Sequence, residues 1–390
     1  MITLLKNADV YAPEHLGKKD VLIADSRIAV VADPGEVTMS GLKVESVDAS
    51  GKMAIPGIID SHVHILGGGG EGGPSTRAPE ITVEDIISSG VTTVIGCLGT
   101  DGTTRHMESL LAKANGLEVE GVNTYIFSGS YELPVKTLTG CVRSDLILIH
   151  KVIGAGEIAV SDHRSAQPSF ADFAKLAAEC RVGGMLGGKA GILHCHLGSG
   201  PRRLEMLHRL VDETEIPVTQ IIPTHINRNR ELLEDSVGFL DKGGYVDLTA
   251  DLDPAQDKEL ISIASCVMFY KEKKAPLDRI TVSSDGNGSI PSFDDKGILI
   301  GLTVASQKSL LANFQYVVKN KVLEIEETIK LFATTPADFY GLERKGRIKM
   351  GMDADIILLD EDLALTDSFI RGKRLMAEKK ILVRGTFSKE

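Results

Sequence analysis

AIPGIIDSHVHI, residues 54–65, is an apolar run that closes on two histidines two positions apart. Alternate residues of a β-strand point to the same side, so His62 and His64 both face inward if the run is a strand. Two imidazoles on one face suit chelation of a single metal ion. Seven further runs have the same texture, at 92–100, 124–131, 157–162, 191–198, 219–226, 245–250 and 280–286. Each ends in small or polar residues, and helix-like stretches such as SFADFAKLAAECRVGGML and LEMLHRLVDE lie between them. That alternation is expected of βα units. Doubly wound sheets alternate in the same way, but eight parallel strands close naturally into a (β/α)8 TIM-like barrel. Such a barrel keeps its chemistry at the carboxyl ends of its strands, where His62, His64, His196 and His225 all fall.

Outside this stretch the pattern changes. Residues 1–53 and 346–390 contain short β-type runs with turn residues between them and no helical period. We therefore expect a small β-sandwich built from both chain ends, with residues 54–345 forming the barrel domain. Of the 390 residues, 54 are acidic and 43 basic, giving a net charge of -11. This provides no global attraction for nucleic acid or for anionic membranes. No window holds about 18 consecutive apolar residues, the length needed to span a bilayer. The five cysteines show no paired spacing, which fits a reducing, cytoplasmic setting.

Asp285 ends the eighth run, where a carboxylate beside bound metal can serve as general base to water. On the fifth run His194 and His196 share a strand face, and periodicity does not choose between them. His163 follows the fourth run and is a candidate to support a ligand. His15, His106, His150 and His208 lie in loop or helix contexts and read as surface residues.

Taken together, the HxH pair, the later single histidines, Asp285 and GMDADIILLD resemble the amidohydrolase superfamily. Longer motifs (HVHILGGGGEGGPSTRAPE, CLGTDGTTRHMESLLAK, SDHRSA, RVGGMLGGK, PTHINRN and SSDGNGS) resemble its isoaspartyl (β-aspartyl) dipeptidase members. The resemblance implies two zinc ions per subunit, one held by His62 and His64 and the other by His196 and His225, with Asp285 touching the first. Cobalt or manganese suit the same donors. A hydroxide between the ions would be the nucleophile, with Asp285 acting as general base and then acid, and Tyr131 would stabilise the oxyanion. The resemblance also suggests a large homo-oligomer, an octamer assembled from dimers.

A β-linked aspartyl dipeptide carries one ammonium and two carboxylates, so its pocket needs an acid and forked cations. By resemblance, Glu71 would bind the amine and Arg164 and Arg228 the carboxylates, with Gly69, Thr100 and Ser289 as further contacts. The sequence departs from the common pattern at one point. Many binuclear members bridge their metals with a carboxylated lysine on the fourth strand, whereas this chain has Glu157 there. A glutamate carries the same charge without carbon dioxide, but its carboxyl carbon lies three bonds nearer the backbone, so the strand must shift inward or the metals must move. Glu157 is the expected bridge; Lys151, six residues earlier, would need another register. The competing readings are a cyclic-amide hydrolase of dihydroorotase or hydantoinase type and a metal-free scaffold on the same fold. Glu71 separates the first of these from the dipeptidase, because a cyclic amide has no free ammonium to bind.

Overall fold

The structure, a computed structural model, describes residues 1–257, 260–293 and 299–388. All eight expected runs contain strands: β1 Ile58–Val63, β2 Val91–Gly96, β3 Asn123–Ser128, β4 Val152–Val160, β5 Ile192–Leu197, β6 Ile221–Thr224, β7 Val246–Thr249 and β8 Ile280–Ser283. Each is followed by a helix: α1 Val83–Ile87, α2 Met107–Glu120, α3 Val142–Leu148, α4 Phe170–Gly187, α5 Glu205–Glu213, α6 Arg230–Asp241, α7 Ile263–Lys273 and α8 Lys308–Lys319. Every residue of the eight strands is buried except Tyr125, which is why they read as continuous apolar runs rather than as alternating ones. The helix boundaries follow local chemistry. Ser169 accepts a hydrogen bond from the Asp172 amide to start α4, and Gly188, in the left-handed conformation, ends it.

Strands β1 to β6 form one parallel sheet in sequential order, and β7 and β8 form a parallel pair. Side chains span the two seams between them. Asn227, just past β6, donates from its amide to the Thr249 carbonyl and accepts from the Thr249 amide. On the other side Asp60 of β1 accepts from the Ser284 amide (3.1 Å) and hydroxyl (2.5 Å), and the His64 amide donates to the Gly286 carbonyl. Ile59, Ile95, Phe127, Ile153, Ile192 and Ile222, one from each of β1 to β6, share an apolar cluster with Ala337, Phe339, Tyr340 and Leu342. No helix of the described residues is long and apolar enough to cross a membrane.

Strands from both chain ends join a single nine-stranded sheet. Its order runs Lys380–Ile381, Lys373–Ala377, Leu365–Ile370, Ile356–Leu359, Met53–Pro56, Ile2–Tyr11, His15–Ala24, Arg27–Ala32, with Glu45–Asp48 also paired to Ile2–Tyr11. The opening run 54–65 is thus cut in two. Met53–Pro56 belongs to the terminal sheet, and β1 begins only after Gly57. A side chain at Gly57 would overlap Thr92, so glycine lets the chain cross from one sheet to the other against β2.

Candidate active site

The strands deliver their polar residues to one end of the parallel array. His62 lies in β1 and His64 one residue past it; Glu157 lies in β4 and His196 in β5; His225 follows β6 and Asp285 follows β8. His225 and Asp285 hold left-handed backbone angles, φ 62° and 51°. Few residues other than glycine adopt this conformation, and those that do cluster at functional sites.

Glu157 is the hub. One of its carboxylate oxygens lies 3.1 Å from His62 Nε2, 3.1 Å from His196 Nδ1 and 3.8 Å from His225 Nε2, while the other lies 3.4 Å from His64 Nε2. Asp285 Oδ1 approaches His64 Nε2 to 3.0 Å and His62 Nε2 to 3.6 Å. Two groups of donor atoms are therefore close enough to hold metal ions, His62–His64–Cys97–Glu157 and Glu157–His196–His225, with Glu157 common to both. Three of these buried atoms, His62 Nε2, Glu157 Oε1 and Asp285 Oδ1, make no hydrogen bond despite their proximity. Lone pairs converging without hydrogen-bond geometry, from imidazole and carboxylate donors, fit divalent cations.

The local register accounts for the reach of Glu157. Ala155 pairs with Leu193 but Ile158 with Cys195, so β4 carries one extra residue there. Such a bulge re-aims a side chain. Lys151 points elsewhere: its ammonium is held by Glu118 and by Thr124 Oγ1 at 2.7 Å.

Burial raises the pKa of the Glu157 carboxyl, but His62 and His196 outweigh this and hold it well below the usual range. Burial lowers the pKa of His62 and His64, but Glu157, Cys97 and Asp285 raise His62, and Cys97 and Asp285 raise His64, well above the ordinary histidine value. His225 is pushed down to about 3 by burial and by His196, which keeps its nitrogen lone pair available. Burial, reinforced by Glu157, raises the Tyr131 hydroxyl well above its usual value, so it remains a donor.

The choice left open on β5 falls to His196. His194 lies deeper, with Nδ1 3.1 Å from the Tyr340 hydroxyl and its ring stacked on Phe127. Tyr131 reaches the cluster, its hydroxyl 2.8 Å from His196 Nδ1. His163 is exposed. Its neighbour Asp162 makes the supporting contact instead, because the turn after β4 directs the preceding side chain inward.

At the mouth, Glu71 accepts from Thr100 Oγ1 (2.9 Å) and Ser289 Oγ (3.1 Å), and Arg164 Nη1 lies 3.4 Å away. Gly69 is left-handed, and a Cβ there would sit 3.4 Å from the Ser289 side chain. Arg228 is half-buried, and its Nε makes no hydrogen bond. Three participants were not read from the sequence. Cys97 lies beside His64, and Asp162 pairs with Arg164. Buried Arg105 donates to the carbonyls of Leu66, Gly68, Gly69 and Ala78, fixing the glycine run. Cys97 and Arg105 meet residues 27 to 39 positions away along the chain, where spacing carries no signal.

This arrangement defines the class: the chain belongs to the amidohydrolase family, which residues 53–387 match. Within that class it is similar to the β-aspartyl dipeptidase of the thermophilic, keratin-degrading Fervidobacterium islandicum AW-1, solved in complex with β-Asp-Leu dipeptide. The two are 45% identical, with 98% of each chain covered and a TM-score of 0.90. A dihydroorotase of Lactobacillus acidophilus is 23% identical over 92% of this chain and 89% of its own. The dihydropyrimidinase of Brevibacillus agri NCHU1002, at 15% identity with both chains fully covered and a TM-score of 0.69, shares the fold.

Proposed function

We propose that this chain is a metal-dependent hydrolase of β-aspartyl dipeptides, working at the mouth of a closed (β/α)8 barrel. The barrel reading is supported by the Asn227 and Asp60 contacts at the two seams and by the apolar cluster shared by β1 to β6. A division into residues 1–53 plus 346–390 as a β-sandwich and 54–345 as the barrel is supported by a separate core of Leu5, Val10, Val21, Ile23, Ile356 and Phe369, with Met53–Pro56 added to the sandwich side.

His62, His64, Glu157, His196, His225 and Asp285 would hold two divalent ions, zinc by donor type. Bound there, such ions polarise a scissile carbonyl and bring the pKa of solvent down to about 7. Asp285 then accepts the proton of attacking solvent and passes it to the departing amine. Tyr131 donates to the developing oxyanion, an interaction worth about 3 to 4 kcal/mol.

The observation that carries the substrate reading is the Glu71–Arg164 pair beside the donor cluster, 3.4 Å apart. An amino-acid head group bears an adjacent ammonium and carboxylate, and it can insert between these two, each charge finding its partner. The likeness to an enzyme bound to β-Asp-Leu supports the same reading. The test is to assay purified protein on β-aspartyl-leucine, α-aspartyl-leucine and dihydroorotate, with and without chelator. We expect hydrolysis of the β-linked dipeptide alone, abolished by chelation. Turnover of dihydroorotate alone would overturn the proposal.

A further inference from the structure

We infer that Asp162 is a positioning residue that orients His196 for its cation and Arg164 for the substrate through a single carboxylate. This rests on the roles proposed above for His196 and Arg164. An imidazole that gives one nitrogen to a metal carries its proton on the other, and an acceptor there fixes both tautomer and ring plane. His196 turns Nδ1 toward Glu157, and its Nε2 lies 3.0 Å from Asp162 Oδ2. The same oxygen accepts from Arg164 Nη2 at 2.8 Å, and Oδ1 accepts from Arg164 Nε at 3.0 Å and the Arg164 amide at 2.7 Å. With that edge of the guanidinium committed, Nη1 is the part left to face Glu71.

The backbone is shaped to allow this approach. Asp162 follows Ser161, whose φ is 52°, and a Cβ on Gly198 would stand 2.5 Å from both Cα and Cβ of Asp162. Glycine after β5 is what allows the turn after β4 to lie against the strand bearing His196. The carboxylate is nearly enclosed, with 4% of its side chain exposed. Water therefore competes weakly for its oxygens, and both partners are held in one geometry.

The experiment compares wild-type protein with Asp162→Ala, Asp162→Asn and Arg164→Met. Zinc affinity is read by competition with a chromophoric chelator, and KM is measured for β-aspartyl-leucine. Loss of an outer partner of a metal-bound histidine typically weakens metal affinity about 10- to 100-fold, and we expect a drop of that order in both Asp162 variants. KM should rise at least about tenfold in Asp162→Ala and less in Asp162→Asn, which keeps one acceptor oxygen for Arg164. Arg164→Met should raise KM while leaving zinc affinity unchanged. Unchanged zinc affinity in both Asp162 variants would overturn the inference, as would an unchanged KM. Should Asp162→Ala fail to fold, the isosteric Asn variant decides. If wild-type protein does not cleave the dipeptide, the substrate reading fails, and the zinc competition still judges the link to His196.

Discussion

Burying a carboxylate costs several kcal/mol unless charged partners compensate. Glu157, 1% exposed, has three imidazole nitrogens around one oxygen and a fourth near the other. Glu71 occupies a different setting at the mouth, with 29% of its side chain exposed beside Arg164. Replacing Glu71 by Gln removes the charge that meets an ammonium while keeping the shape. A hydrogen bond to a charged group is worth about 1.5 to 3 kcal/mol, so kcat/KM for β-aspartyl-leucine should fall by roughly 10- to 150-fold, mostly through KM and with metal content intact. Steady-state kinetics with elemental analysis checks this, and an unaltered KM would remove Glu71 from recognition. The placing of His62, His64 and His225 at the ends of apolar runs was legible from residue type and period, whereas Glu71 was singled out by resemblance and His194 and His196 were not separable by period. Cys97 could not be read, nor the reach of Asp162 to His196, since each of these contacts joins residues more than thirty positions apart along the chain.

Among the elements, the eight strands were legible because burial on both faces writes an unbroken apolar signal. The crossing at Gly57 was not, since that signal runs through it from one sheet into the next. The bulge in β4 was also hidden, because a bulge exists only relative to the partner strand. Where many members have the longer carboxylated lysine, the extra residue stands beside Glu157, whose carboxylate lies 3.1 Å from both His62 and His196. Gly156, immediately before Glu157, makes the close approach: a Cβ there would lie 2.8 Å from His194 Cβ and 2.9 Å from the His194 carbonyl. Gly156→Ala should therefore destabilise the protein by about 1 to 3 kcal/mol, the usual cost of overpacking, and draw Glu157 away from the cluster. A thermal melt combined with a metal count reads both effects. Full metal retention at a lowered Tm would show that the bulge does not set the reach of Glu157.

At the scale of the whole molecule, the terminal and central sheets meet through buried polar ties. Asp355 accepts from Lys345 Nζ at 2.7 Å, from Asn123 of β3 at 3.0 Å and from the Arg371 amide at 2.8 Å. Both members of the Lys345–Asp355 pair are buried. Lys345→Met leaves an anion without its counter-charge, and breaking such a pair costs about 3 to 5 kcal/mol. Chemical denaturation should register a loss of that order, and a loss below 1 kcal/mol would mean that Asn123 and the backbone suffice. The sequence showed that the two ends pair, yet not which buried groups join them to the centre, because lysines and aspartates usually lie in solvent. A last consequence follows from Glu157 belonging to both donor groups. Its anion is translated with the chain rather than installed afterwards, so stripped protein reloaded in degassed, bicarbonate-free buffer should regain its ions as quickly as protein reloaded under air.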